Sequence, residues 1–256
     1  MEPIRPRGHR NRHVVAAARL HRARERRDTG KTILEGPHLL EEAVSAGVIP
    51  DVIFALPDDQ RSAAVAGDHN VELIVVDPAA LKRLAGTQTP LGPAAVIEVP
   101  ASSRVGGRGM IVAWGLSDPG NMGTLIRTAA AFGWDLGHTA GTTDPWAPKV
   151  LRAGAGGHFR IGITRVDSLD SLEEAGLTTA ASVVTGGVAP EHLDPGLYAL
   201  LVGEEASGLP ADVVERAELA VTIPMPGGVE SLNAAMAAGM IVYELSKPRR
   251  EGGPRV

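Results

Sequence analysis

Three stretches of this chain constrain its fold more than any other feature: DPGNMGTLIRTAAAFG over 118–133, LVGEEASGLP over 201–210 and IPMPGGVESLNAAMAAGMIVYEL over 223–245. Each takes an apolar run through a turn rich in Gly, Pro or Asn and into residues at helical spacing; for the first stretch that run is Met110–Trp114. A strand–turn–helix unit gathers backbone N–H groups and short polar side chains at the C-terminal end of a strand. In open α/β sheets ligands bind there.

The rest of the chain alternates in the same way. The apolar spacing predicts one helix over 11–27, then strands and helices by turns up to residue 99, which makes a small α/β unit. ASSRVGGRG, 101–109, is rich in Ser, Gly and Arg and reads as a linker. Beyond it the expected strands cover 110–114, 137–140, 159–166, 178–185, 198–202 and 217–223, with helices at 121–132, 146–154, 169–175, 210–215 and 231–245. The expected division is therefore 1–100, 101–109 and 110–256.

Net charge is −5, which would argue against a polyanionic partner, but its distribution reverses that. Residues 1–27 hold nine Arg and two Glu, a basic arm of the kind that displaces counterions from phosphates. Arg12, Arg19 and Arg22 are the candidate contacts, with Arg26 expected to face solvent beside them. With no Cys there is no disulfide, thiolate nucleophile or Cys-based zinc site, which suits a reducing cytoplasm. Ser231–Tyr243 falls short of the roughly 20 apolar residues that span a bilayer, so no membrane role is expected. Two nucleotide-binding patterns fail. Gly30-Lys31-Thr32 has Glu25 where a phosphate loop needs Gly, and Phe159 stands where the last Gly of a dinucleotide fingerprint would follow Gly154 and Gly156.

In order and spacing, the three stretches resemble the motifs of the SpoU/TrmH branch of the SPOUT RNA methyltransferases. The residues that carry the likeness are Asn121, Gly123 and Arg127-Thr128-Ala129, then Gly203-Glu204-Glu205 with Gly208-Leu209, then Ile223-Pro224-Met225 with Ser231-Leu232-Asn233. The family pattern reads Asn where this chain has Glu204, Gly at Ala206 and a larger aliphatic residue at Ala234, and Pro148-Lys149 with Arg152-Ala153 follows its Pro-Lys-x-x-Arg-Ala-Ser run except that Gly154 replaces the Ser. Upstream, Lys31–Pro37, Glu41-Glu42-Ala43, Leu84 and Thr89-Pro90-Leu91-Gly92 are similar to the substrate-binding domain that precedes many SpoU catalytic domains.

The resemblance implies an α/β fold: a C-terminal, trefoil-knotted methyltransferase domain with a mainly parallel sheet, and a small N-terminal RNA-binding domain. It implies S-adenosyl-methionine as cofactor and a ribose 2′-hydroxyl of RNA as target, ribosomal RNA first and tRNA second. A non-catalytic RNA-binding protein of the same fold is the reading from another class. Gly203, Ile223, Met225, Gly228 and Leu232 suit a cofactor pocket of close backbone and apolar walls. Asn121, Arg127, Glu205, Ser231 and Asn233 match the catalytic positions. Arg127, always protonated, would steady charge on the target oxygen, with Glu205 holding it in place. Lys149 and Arg152 join the basic arm as RNA contacts, no metal is needed, and the family's homodimer is the expected assembly.

Overall fold

The computed structural model describes residues 6–90, 92–101, 106 and 108–248. The expected linker lies mostly outside them, as do Arg5 and Leu91. The described elements are, in chain order, α1 (Arg12–Arg19), α2 (Ala23–Thr29), β1 (Lys31–Glu35), α3 (Pro37–Ser45), β2 (Val52–Ala55), α4 (Gln60–Asp68), β3 (Glu72–Val75), α5 (Pro78–Ala85) and β4 (Ala94–Glu98). There follow β5 (Gly109–Ala113), α6 (Pro119–Phe132), β6 (Asp135–His138), α7 (Pro148–Gly154), β7 (Ile163–Arg165), α8 (Asp170–Glu173), β8 (Thr178–Ser182), β9 (Tyr198–Val202), α9 (Ala211–Arg216), β10 (Leu219–Val221) and α10 (Ala234–Ser246). They form two compact units, one of Met1–Ser102 with Asp144–Arg160, the other of Ser103–Thr143 with Ile161–Val256.

The first unit is built on a four-stranded sheet in the order β1-β4-β2-β3, antiparallel except for β2 beside β3. Successive strand residues face opposite ways, so both faces are apolar. Ile33, Phe54 and Val96 pack with Val14, Leu20, Leu81 and Leu84 on one side. Leu34, Ile53, Ala95 and Ile97 pack with Leu39, Leu40, Ala43 and Leu151 on the other. Leu151 belongs to α7, so the segment 144–160 completes this core although the sequence pattern runs it on with the C-terminal block. Three ion pairs fix the segment: Arg26–Asp144 at 2.6 Å, Arg152–Glu35 at 2.8 Å and Arg160–Glu42 at 2.7 Å.

Two expectations fail in this unit. The single helix over 11–27 is two, because the chain turns at Leu20–Arg22 to bury Leu20 in the core. Arg26 is buried, not solvent-facing: at 5% exposure its guanidinium also donates to the Leu20 carbonyl at 2.7 Å. A buried charge needs such a partner set, and the turn that exposes that carbonyl supplies half of it.

The second unit holds a six-stranded sheet in the order β10-β8-β9-β5-β6-β7, parallel throughout. The central strands β5 and β9 are buried along their whole length. That is why GMIVA and YALLV read as continuous apolar runs without alternation. Asp118 caps α6 by accepting from the Asn121 N–H at 2.8 Å, with Pro119 at the first helical position. Asn233 caps α10 in the same way, accepting from Met236 N–H at 3.0 Å. The last helix is thus shorter than expected, and Ser231 and Leu232 are left in the loop before it.

Candidate active site

β9 ends at Val202, and the chain must then turn hard. Gly203 is buried, and a Cβ on it would lie 2.3 Å from the carbonyl carbon of Gly208. Only glycine allows the loop to fold back on itself this closely. Gly208 itself has φ +68° and donates its N–H to the Glu204 carbonyl at 2.8 Å. A second loop, between β10 and α10, brings Ile223, Met225, Glu230, Ser231 and Leu232 alongside. A third, leaving β8, adds Ser182, Val183 and Val184.

Together these loops enclose a cavity of about 380 Å³ at the C-terminal ends of β8, β9 and β10. Four of the five residues expected to hold a cofactor line it: Gly203, Ile223, Met225 and Leu232. Gly228 does not. It sits at φ +73° in a turn in which its N–H donates to the Met225 carbonyl at 3.3 Å, so it shapes the loop from outside the wall.

Of the expected catalytic residues, Glu205 and Ser231 line the cavity. Asn121 and Asn233 are tied to it by a directional chain. The Asn233 carbonyl oxygen accepts from Met236 N–H, its amide donates to Asn121 Oδ1 at 2.9 Å, and the Asn121 amide donates to Glu205 Oε1. Because a backbone N–H stands at one end and a carboxylate at the other, both amide orientations are settled by chemistry. Glu205 therefore holds Asn121, not Arg127. Arg127 lies on the exposed face of α6, outside the cavity lining, and has no acidic partner among the described residues.

The basic positions fall in the first unit. Arg12, Arg19, Arg22 and Lys149 are exposed. Arg152 is spent differently, half-buried against Glu35, whose other oxygen accepts from Thr87 Oγ1 at 2.9 Å. Sequence reading passed over Glu204, Glu230 and the strip Ser182–Val184, all in the cavity wall. The position of 182–184 just past a parallel strand was the available signal.

Loops from three adjacent parallel strands that close over a pocket at the C-terminal ends of those strands define an α/β protein with a site of small-molecule size. The chain belongs to the SpoU rRNA Methylase family, whose pattern matches residues 109–243, and an MRM3-like substrate binding domain matches residues 11–95. It is 32% identical over 243 residues to the 23S rRNA (guanosine(2553)-2′-O)-methyltransferase RlmP of Bacillus subtilis, which covers 92% of this chain and 96% of that one. It is 28% identical to the human mitochondrial rRNA methyltransferase 3, across 86% of this chain and 68% of that one. Among solved structures it resembles the SpoU methyltransferase AviRb of Streptomyces viridochromogenes in complex with AdoMet, with TM-score 0.83, 26% identity and coverage of 93% and 97%. An AdoMet-bound rRNA methyltransferase of Sinorhizobium meliloti gives TM-score 0.81 at 27% identity, with coverage of 92% and 94%. The fold is the α/β fold of these SPOUT methyltransferases, with a parallel six-stranded sheet.

Proposed function

We propose that this chain methylates a ribose 2′-hydroxyl of ribosomal RNA with S-adenosyl-methionine as donor. The observation that carries the reading is that Gly203, Ile223, Met225 and Leu232, far apart in sequence, wall one cavity with Glu205 and Ser231. Its volume of about 380 Å³ is at the small-molecule scale of ~300–1,000 Å³, and its apolar and glycine surfaces suit an uncharged adenosine. When bound there, the donor supplies a methyl group on a positively charged sulfur. The protein's task is then chiefly to hold two reactants in register.

In this reading Gly203 gives close backbone approach, while Ile223, Met225 and Leu232 form the walls and Gly228 sets the loop that carries them. Asn121, Glu205 and Asn233 tie the start of α6 to the loops after β9 and β10, and Ser231 offers a hydroxyl toward the target. Arg127 orients the target's phosphate and steadies negative charge growing on the 2′-oxygen, a role for a fork of fixed donors. Residues 1–100 together with 144–160 recognise RNA through Arg12, Arg19, Arg22 and Lys149, with Arg152 ordering the segment that presents Lys149. The span 101–109 joins 1–100 to the catalytic part, 110–143 with 161–256. tRNA is the second substrate class, and the trefoil threading and a cytoplasmic location go with the family reading. Among the described residues no helix is long and apolar enough to cross a membrane.

The assembly that fits is a homodimer through α6 and α10. Met236, Met240 and Tyr243, spaced along one face of α10, are about half exposed at 57%, 48% and 53%, an apolar stripe that wants cover. Arg127, at the surface of the adjoining α6, would then complete the partner's cavity. Calorimetric titration with S-adenosyl-methionine tests the enzyme reading, and mapping 2′-O-methyl sites in total RNA from cells with and without the protein tests the substrate. No binding at sub-millimolar donor would leave a non-catalytic RNA-binding protein as the reading.

A further inference from the structure

The cavity wall is one-sided in charge. Glu204, Glu205 and Glu230 line it, while none of the described lining residues is Lys, Arg or His, and no ion pair engages any of the three carboxylates among the described residues. Glu205 is satisfied by a neutral amide. Glu204, in the cavity wall, has its carboxylate held in place: Ser207 Oγ donates to one carboxylate oxygen at 2.8 Å and Ser117 Oγ to the other at 3.3 Å, and its backbone carbonyl is pinned by Gly208 N–H. Two hydroxyl donors fix the direction of a carboxylate without neutralising it. A partly enclosed site with fixed carboxylates and no counter-cation favours a cationic occupant.

From this we infer that Glu204 is a specificity-determining residue that discriminates the methyl donor from its demethylated product by charge. The inference rests on the cavity being the donor site. Transfer breaks the methyl carbon–sulfur bond and leaves its electron pair on sulfur. The new carbon–oxygen bond forms at the ribose, and the hydroxyl proton passes to solvent. The ligand thus loses its sulfonium charge while its shape changes only by one methyl. Apolar walls and backbone contacts grip donor and product alike, and a single methyl gives a pocket little to discriminate by. A fixed carboxylate in the cavity wall acts on the difference, weakening the hold on the spent ligand once the methyl has left.

The test is calorimetric titration of the full chain, wild type and Glu204→Gln, with S-adenosyl-methionine and with S-adenosyl-homocysteine. Glutamine keeps the length, accepts from one serine and donates to the other, and removes the charge. The ratio of donor to product affinity is expected to shift toward product by about tenfold, equivalent to about 1.4 kcal/mol. A merely structural role would weaken both ligands together and leave the ratio unchanged, and that result overturns the inference while leaving the enzyme assignment intact. If neither ligand binds wild type, the donor-site reading and this inference fall together. Should Glu204→Gln not fold, wild type decides: the donor-to-product ratio falls as salt is raised if fixed charge sets it, and a salt-independent ratio overturns the proposal.

Discussion

Asn233 has two jobs that one substitution can separate. Its oxygen caps α10 by accepting from Met236 N–H, and its amide donates to Asn121 Oδ1 at 2.9 Å. Asn233→Asp keeps the first and destroys the second. Aspartate caps as well as asparagine and adds a charge that the helix N-terminus favours by ~0.3–1 kcal/mol. It has no donor, however, so Asn121 must either face it oxygen to oxygen or flip its amide. A flip satisfies the new carboxylate but turns the Asn121 carbonyl toward the Glu205 carboxylate, so one link breaks in either case. The lost link costs about 0.5–1.5 kcal/mol, nearly offset by the better cap. Asn233→Ala loses cap and link, about 2 kcal/mol together. We therefore expect urea midpoints to rank wild type close to Asn233→Asp and both above Asn233→Ala. Single-turnover methylation should fall at least tenfold in both variants, about 1.4 kcal/mol in barrier. Wild-type turnover in Asn233→Asp would refute the reasoning, since the chain of amides would then be incidental to the site. Equal destabilisation of the two variants would refute the division of labour.

Further outcomes follow from single residues. Arg127→Ala should lower turnover by about 10²–10³-fold, the usual scale for a lost donor at developing charge, with calorimetric donor binding unchanged; near-normal turnover would remove its assigned role. Gly203→Ala forces a methyl against the Gly208 backbone, so donor binding should be lost in calorimetry even where circular dichroism shows a folded chain. Met240→Glu, which puts a charge in the apolar stripe of α10, should halve the mass seen in sedimentation equilibrium if that face is the dimer contact. Burial holds the His158 imidazole down at about 4 from an ordinary 6.5, against the smaller upward pull of its bond to the Pro145 carbonyl and of Asp144. The unfolded chain takes up that proton first, so this stability is complete above pH 6.5 and drains away as pH falls to about 4. The loss reaches about 3 kcal/mol. Urea titrations of wild type and His158→Gln should therefore converge on acidification.

The parts of the site legible in the sequence were those whose physics is local. Gly203 stands where a close turn demands glycine, β9 reads as buried because YALLV has no polar face, and Asn121 and Asn233 come from the motif likeness alone, Asn233 being read inside a helix that it in fact caps. What could not be read is long-range pairing. An arginine in a basic helix reads as solvated, and only the fold brings Asp144 to Arg26 or Glu35 to Arg152, each more than a hundred residues away. The same limit misassigned Glu205, whose hydrogen-bond partner is Asn121 and not Arg127. Gly228 shows a subtler ambiguity: a glycine needed for φ +73° and a glycine needed to admit a ligand look alike in one dimension.

A cavity made of loops from three strands raises the question of what holds it open in one shape. Ordering a loop residue costs about 1–2 kcal/mol, and the chain Asn233–Asn121–Glu205 contributes about 1 kcal/mol per link, so those links select a geometry that they do not themselves stabilise. The larger contribution comes from α10, whose Ala235, Ala238, Ile241 and Val242 are buried at 1% exposure or less. Its N-terminus is where the Ile223–Leu232 loop ends, and α6, which begins two residues before Asn121, packs along it. The helix is therefore the base on which two of the three motifs are registered. Small side chains let α6 and α10 approach closely, since a Cβ on Gly239 would already touch Thr128 at 3.8 Å. A large residue at Gly239 would press on Thr128, push the helices apart and carry Asn121 and Asn233 out of reach of one another, damaging the site from a position outside the cavity wall.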